Sequence, residues 1–246
     1  MTPTLSPGLE PLYRRLRLRD HVDDEERAAL AEVLSDARAI PAGTDLVRQG
    51  DRPGRSTLVL SGITCRYAQL ENGKRQITAI HVPGDFVDLH SFLIKTMDHA
   101  VGALSSCVVA YAPHEGLERI TERLPHLGRL LWLLTLIDAS IHRQWLVTMG
   151  GYPALNRTAH LLCELFTRLT YDSGIVSDTL SLPITQADLG DTLGLSTVHT
   201  NRVIQELRGR GLIQWQGQEI KVLNWTGLVE LAQFDPLYLH LTREPR

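Results

Sequence analysis

Cysteine is nearly absent. Three residues, Cys65, Cys107 and Cys163, are spread along 246 positions. Their odd number and wide spacing exclude a metal-finger pattern and a disulfide framework and predict a reducing, cytoplasmic setting. Also missing is an apolar run long enough to cross a bilayer: the longest lies between Arg129 and Asp138, well short of the roughly 18–20 residues a span requires. The opening stretch, MTPTLSPGLEPLYRRLRLRD, has no apolar signal core. No charge of one sign dominates, since 25 Lys and Arg stand against 28 Asp and Glu for a net −3. Such a balance supplies little bulk attraction to nucleic acid. What is present is ordinary for a globular chain: 43% hydrophobic and 22% charged residues, enough to bury a core and too apolar for disorder. No repeat or low-complexity tract occurs.

Composition changes three times along the chain. Residues 9–37 read as helical, with Leu12 and Leu16 among arginines and Leu30, Val33 and Leu34 sharing a face. From about 38 to 118, glycines punctuate short β-rich runs: Thr57–Leu60, Ile63–Tyr67, Arg75–Val82 and Cys107–Tyr111, with a hairpin signal at Glu71-Asn-Gly73. Many short strands with glycine turns predict a small antiparallel sandwich or roll. Residues 117–149 return to helix. Leu127, Leu130, Leu134, Ile137 and Ile141 are spaced 3, 4, 3 and 4, a seam that suits pairing with a second copy; an internal core helix is the alternative. Gly150-Gly151 and Pro153 then predict a hinge.

The most informative stretch is 182–208. Thr185 can cap a helix beginning at Gln186, with Asp188 in the reciprocal capping position. Ala187, Leu189 and Leu193 give that helix its inward side, and Gly194 permits the backbone turn. Ser196 can cap the next helix. Val198, Val203, Ile204 and Leu207 supply its inward face, leaving Thr197, His199, Thr200, Asn201 and Arg202 outward. Two strands around Gln216-Gly217 add a wing. This is the layout of a DNA-reading helix-turn-helix, in which the start of the second helix enters the major groove, Arg pairs with guanine and Asn with adenine.

Over nearly its whole length the chain resembles the Crp/Fnr family of transcription regulators. The resemblance is carried by Gly43-x2-Leu46-x3-Gly50-Asp51, Leu58-x3-Gly62, Gly73, Pro83-Gly84-Asp85-Phe86 and, without gaps, Ile184-Thr-Gln-Ala-Asp-Leu-Gly-x3-Gly-Leu-Ser. It implies an α+β architecture: an N-terminal antiparallel β-roll of cyclic-nucleotide-binding type (a double-stranded β-helix), a long dimerisation helix and a C-terminal winged helix-turn-helix. The corresponding divisions are 1–118, 119–150 and 151–246. It further implies a homodimer on two-fold-symmetric double-stranded DNA, with RNA polymerase as a candidate partner and no catalytic residues. By position, Thr197, Val198 and Arg202 fall where the family contacts bases, and Thr185, Gln186, Ser196 and His199 fall near phosphate contacts. Val198 replaces an acidic residue common in the family.

The effector is less legible. Cyclic-AMP-binding relatives carry a Glu and an Arg after the Pro-Gly-Asp-Phe motif; here Leu89 and the segment Asp98-His99-Ala100 stand in those places. An anionic cyclic phosphate would lack its bidentate clamp. Three cysteines cannot hold an Fnr-type iron–sulfur cluster within one chain, no cofactor is named, and haem stays open. Asp88, Leu89, His90 and His99 form the candidate effector pocket, Asp88 and His90 having strand spacing. The alternatives are a constitutive regulator of the same family, a cupin-like metalloprotein using Asp88, His90 and His99, and a module whose helix-turn-helix meets only proteins. Residues 151–246 hold eight Lys and Arg against ten Asp and Glu, yet 197–210 hold three arginines against Glu206. Positive charge is therefore concentrated at the second helix.

Overall fold

A computed structural model describes residues 8–170 and 178–244. The chain divides into two compact units. The first takes the described residues of 1–68, 78–139 and 240–246, the second those of 69–77 and 140–239.

The first unit opens with α1 (Glu10–Arg17) and α2 (Asp24–Val33). Asp23 starts α2 with a capping box: its side chain accepts from Glu26 N–H while the Glu26 carboxylate accepts from Asp23 N–H, satisfying two amides that lack helical partners. Seven strands follow: β1 (Asp36–Ile40), β2 (Asp45–Val47), β3 (Arg55–Ser61), β4 (Thr64–Gln69), β5 (Arg75–His81), β6 (Ala100–Ala103) and β7 (Cys107–Pro113), with the short α3 (Ser91–Ile94) between β5 and β6. They form an antiparallel sheet ordered β1-β7-β3 and a second sheet ordered β2-β6-β4-β5. β1 and β2 are too short and mixed in polarity to stand out in the sequence, and β6 is only four small residues. Tight turns place glycines at positive φ; at Gly84 (φ +92°) an added Cβ would also lie 2.6 Å from the Pro11 carbonyl oxygen, so glycine is required there on both counts. Leu12, Leu16, Leu30, Leu34, Leu58 and Leu117 make one continuous core with the start of the long helix.

The helical stretch expected over 117–149 is divided. α4 (His114–Arg123) stops and α5 (Pro125–Gly151) begins because Leu124, at φ −124° and ψ 73°, precedes a proline, whose ring disfavours helical backbone one residue upstream. The expected break at Gly150-Gly151 does not occur. α5 continues through both glycines, Tyr152 N–H still donating to Thr148 O at 3.0 Å, and Pro153 ends it.

The second unit holds α6 (Ala154–Thr170), β8 (Thr179–Ser181), α7 (Gln186–Leu193), α8 (Thr197–Gly209), β9 (Ile213–Gln216), β10 (Glu219–Val222) and α9 (Trp225–Ala232). The three strands pair antiparallel in the order β8-β10-β9. The Gln216-Gly217 turn (Gly217 φ +58°) joins the last two. Cys65, Cys107 and Cys163 are buried and form no disulfide; burial raises the Cys163 thiol to about 12, so it packs as a small apolar group.

The start of α5 is pinned electrostatically. The ring nitrogens of His126 lie 2.6 Å from the Glu26 carboxylate and 3.3 Å from that of Asp20, both carboxylates being buried. The hydrogen bond to Glu26 is the main cause that raises the His126 pKa. A raised histidine contributes stability that is complete below its ordinary value of 6.5 and is lost as pH climbs through the raised one. Thermal denaturation of the wild type and His126→Gln should show a wild-type advantage that is complete below about pH 6.5 and shrinks as the pH rises above it; a constant gap rejects this account.

Candidate nucleic-acid interface

The reading element is built by local signals. The Thr185 hydroxyl accepts from Asp188 N–H at 3.1 Å, and the Asp188 carboxylate accepts from Thr185 N–H at 2.9 Å. α7 ends at Gly194 in the left-handed region (φ +64°), and Ser196 caps α8 by accepting from His199 N–H at 3.3 Å. The two helices approach closely at Gly190, where a Cβ would sit 2.8 Å from Leu195 O and 3.1 Å from the Thr200 hydroxyl. Leu189, Leu193, Val203, Ile204 and Leu207 fill the interior between them.

The structure corrects the expected orientation of three side chains. Val198, read from the pattern as inward, is 71% exposed at the start of α8, while Thr200, read as outward, is 1% exposed. Thr200 donates to Ser196 O at 3.1 Å and packs on Gly190, so it offers nothing to a ligand. The rotation follows from the Gly190 contact, which fixes which face of α8 turns inward. Ala187 is exposed rather than buried. Thr197, Val198, His199, Asn201 and Arg202 all lie open on the first turns of α8, with Thr185, Gln186 and Ser196 open beside them. Asn201 is steadied by Gln186, its amide donating to Oε1 at 3.0 Å.

Packed against α7 and α8, α6 carries a buried polar network that has no local signature in the sequence. Glu164 on α6 is 1% exposed and accepts from Trp145 Nε1 (2.9 Å), Tyr238 OH (2.9 Å) and the Arg168 guanidinium (2.8 Å). Burial and the Glu164 charge raise the Tyr238 pKa, keeping that hydroxyl a donor. One carboxylate thus joins the last turns of α5 to α6 and to the turn at Pro236–Leu239.

A model of the Crp-like helix-turn-helix domain matches residues 156–231, and one of the cyclic nucleotide-binding domain matches residues 37–123. The chain is 29% identical over 208 residues to the transcriptional activator protein anr of Pseudomonas aeruginosa, covering 85% of each. It is 25% identical to the fumarate and nitrate reduction regulatory protein of Vibrio cholerae, covering 86% of this chain and 84% of that one. The chain belongs to the Crp/Fnr family. Solved structures bear out the family fold: FixK2 of Bradyrhizobium japonicum has a TM-score of 0.73 at 24% identity, covering 79% of this chain and 96% of that one. The c-di-GMP-responsive regulator CLP of Xanthomonas campestris has a TM-score of 0.60 at 19% identity, covering 80% and 99%. This Crp/Fnr protein is accordingly an α+β transcription regulator with a DNA-binding helix-turn-helix, and its relatives are regulators rather than enzymes. No helix among its described residues is long and apolar enough to cross a membrane.

In the roll of this Crp/Fnr chain, the four candidate effector residues are not brought together. Asp88 and His90 do not share a strand; turns carry the chain from 87 to 90. Asp88 is fully buried and accepts from Thr57 N–H (2.5 Å) and Oγ1 (3.3 Å), and burial lifts its pKa to about 7. Leu89 packs on the main core cluster. His90 and His99 do meet, with ring centroids 5.1 Å apart. Burial lowers both pKa values, that of His90 to about 4, so both rings are neutral near pH 7. The His99 Nδ1 lies 2.6 Å from the Asp98 carboxylate. With Asp88 turned away to Thr57, the cupin-like arrangement of Asp88, His90 and His99 is overturned.

α5 gives the other correction. Leu127 and Leu130 are fully buried in their own unit, Leu134 packs against the same cluster, and Ile137 and Ile141 are 7% and 8% exposed. The predicted pairing seam is therefore covered within one chain. The uncovered face carries Trp132, Leu136, Ala139, Arg143 and Leu146, spaced 4, 3, 4 and 3, with Trp132 66% and Leu146 75% exposed. That spacing was the available signal, but it is the same period displaced by two residues.

Gly190→Val should push α7 off Leu195 and Thr200, at a cost of about 1–3 kcal/mol from overpacking, and distort the reading element. Chemical denaturation measures this; unchanged stability would remove the close approach as a constraint.

Proposed function

We propose that the protein acts as a homodimer that reads a two-fold-symmetric DNA site, one α8 from each copy entering successive major grooves roughly 34 Å apart. The observation that carries this reading is the open, capped first turn of α8, with Thr197, Val198, Asn201 and Arg202 exposed together. Arg202 supplies a bidentate donor for guanine, Asn201 for adenine, and the Val198 methyls suit a thymine methyl. Thr185, Gln186, Ser196 and His199 lie at the rim for phosphates, where the helix N-termini add uncharged donors. Thr200 leaves the contact set. The exposed seam of α5 replaces Leu127, Leu130, Leu134, Ile137 and Ile141 as the pairing surface, since a Trp and two Leu left in water give a copy something to bury.

The β-roll is the sensing part, for an effector other than cyclic AMP in its usual mode, and the chain works in the cytoplasm with RNA polymerase as partner. Leu89 in the core supports the first point. A second reading, a regulator that needs no effector, is favoured by one contact. Arg66 of the roll, buried, donates to Val87 O at 2.6 Å and to Asp138 of α5 at 2.7 Å, joining roll and helix directly.

Selection of duplexes from a random pool by the purified protein, followed by footprinting, tests the reading; a two-fold-symmetric site is expected, and recovery of no specific duplex rejects it. Arg202→Ala should lose about 1–3 kcal/mol on the selected site and relax one base position. An equal loss on all sequences would make Arg202 a phosphate contact instead. Trp132→Glu with Leu136→Glu should shift light scattering from dimer to monomer at low micromolar concentration; a dimer that persists rejects the α5 seam.

A further inference from the structure

Within the second unit, the hairpin residues Arg75 and Gln76 hold α7 by its acidic side. Arg75 spreads one guanidinium over two carboxylates three residues apart, Nη2 donating to Asp188 and Nε to Asp191 at 2.9 Å. Gln76 Nε2 donates to the carbonyls of Asp191 (2.8 Å) and Thr192 (3.3 Å), in the last turn of α7, where carbonyls lack helical donors. Residues 113 and 116 positions apart in the chain are thereby joined.

α7 has two carboxylates and no cation of its own, and α8 has Arg202 and Arg208 against Glu206, which already pairs with Arg210 just past the helix end. In a helix-turn-helix the first helix lies across the phosphate backbone, where two uncompensated carboxylates repel. We propose that Arg75 is a positioning residue for DNA recognition: it neutralises the acidic side of α7 so that the phosphates can approach. The proposal rests on the DNA-reading function above. Asp188 is nearly buried, its side chain 12% exposed, whereas Arg75 at 30% and Asp191 at 34% are partly open. A pair as exposed as Arg75–Asp191 contributes little to stability, so its main consequence falls on the charge that an approaching phosphate meets.

The test uses the duplex that the wild-type protein selects, fluorescence anisotropy at several salt concentrations, and melting curves for wild type, Arg75→Gln, Asp191→Asn and the double variant. Arg75→Gln should bind about tenfold more weakly at low salt, with the deficit shrinking as salt screens it. Asp191→Asn should bind at least as tightly as wild type, and the double variant should recover most of the loss although the ion pair is still absent. A clamp that served only as structural glue gives the opposite: no recovery, and weaker binding by Asp191→Asn. Arg75→Gln binding as well as or better than wild type overturns the proposal, as does a double variant that stays weak. Should Arg75→Gln fail to fold, Asp191→Asn decides alone, weaker binding counting against. A wild type that selects no duplex ends the DNA reading and this proposal with it, whereas a binding wild type matched by Arg75→Gln ends only the latter.

Discussion

α5 carries apolar side chains around most of its circumference, and one chain covers only part of them. Leu127, Leu130 and Leu131 are buried against the core of α1, α2 and the strands, each such burial being worth about 1.5–3 kcal/mol. His126 fastens the same end of the helix through Asp20 and Glu26, and Trp145 fastens the other through Glu164. Trp132, Leu136 and Leu146 stay in water. Their face is the proposed site of the second copy. The organisation of the regulator follows from this division of one helix into a covered and an uncovered side.

The reading element depends on a different constraint, the absence of a Cβ at Gly190. It lets α7 and α8 meet backbone to side chain, which turns Thr200 in and Val198 out. Specific polar and apolar groups are then presented by a surface with little formal charge. The whole chain is −3, so bulk attraction to phosphates is weak, and local cations count for more. Arg202 is the base reader in the proposed mode. Arg75 acts one step back, on the carboxylates of the neighbouring helix.

How far the sequence could be read depended on whether the signal was local. The capping pair Thr185 and Asp188, the turn at Gly194 and the cap at Ser196 act within four residues, so they were legible without knowing the rest of the chain. The wing at Gly217 and the hairpin at Gly73 were legible for the same reason. β1, β2 and β6 were not: each is three to five residues long, and their pairing partners lie far along the chain. Pro125 is a local break signal masked by an otherwise continuous apolar pattern, and the glycine pair at 150 and 151 suggests a break that Pro153 makes. In the roll, the local sequence leaves Asp88 looking available, but its oxygens accept from Thr57, 31 residues away.

By itself the sequence determined the family, the α+β class and the winged helix-turn-helix, because caps, glycine turns and periodicity are fixed by neighbours along the backbone. The tertiary structure alone decided which of two seams on α5 is covered, since both have the same 3-4 spacing and differ only in what packs on them. It alone decided the rotation of α8 about Gly190, because a helical pattern leaves a residue at the edge of a face free to lie on either side. And it alone brought Arg75 onto Asp188 and Asp191, since a salt bridge across more than a hundred residues depends on where the chain returns in space, and nothing in the local composition encodes that return.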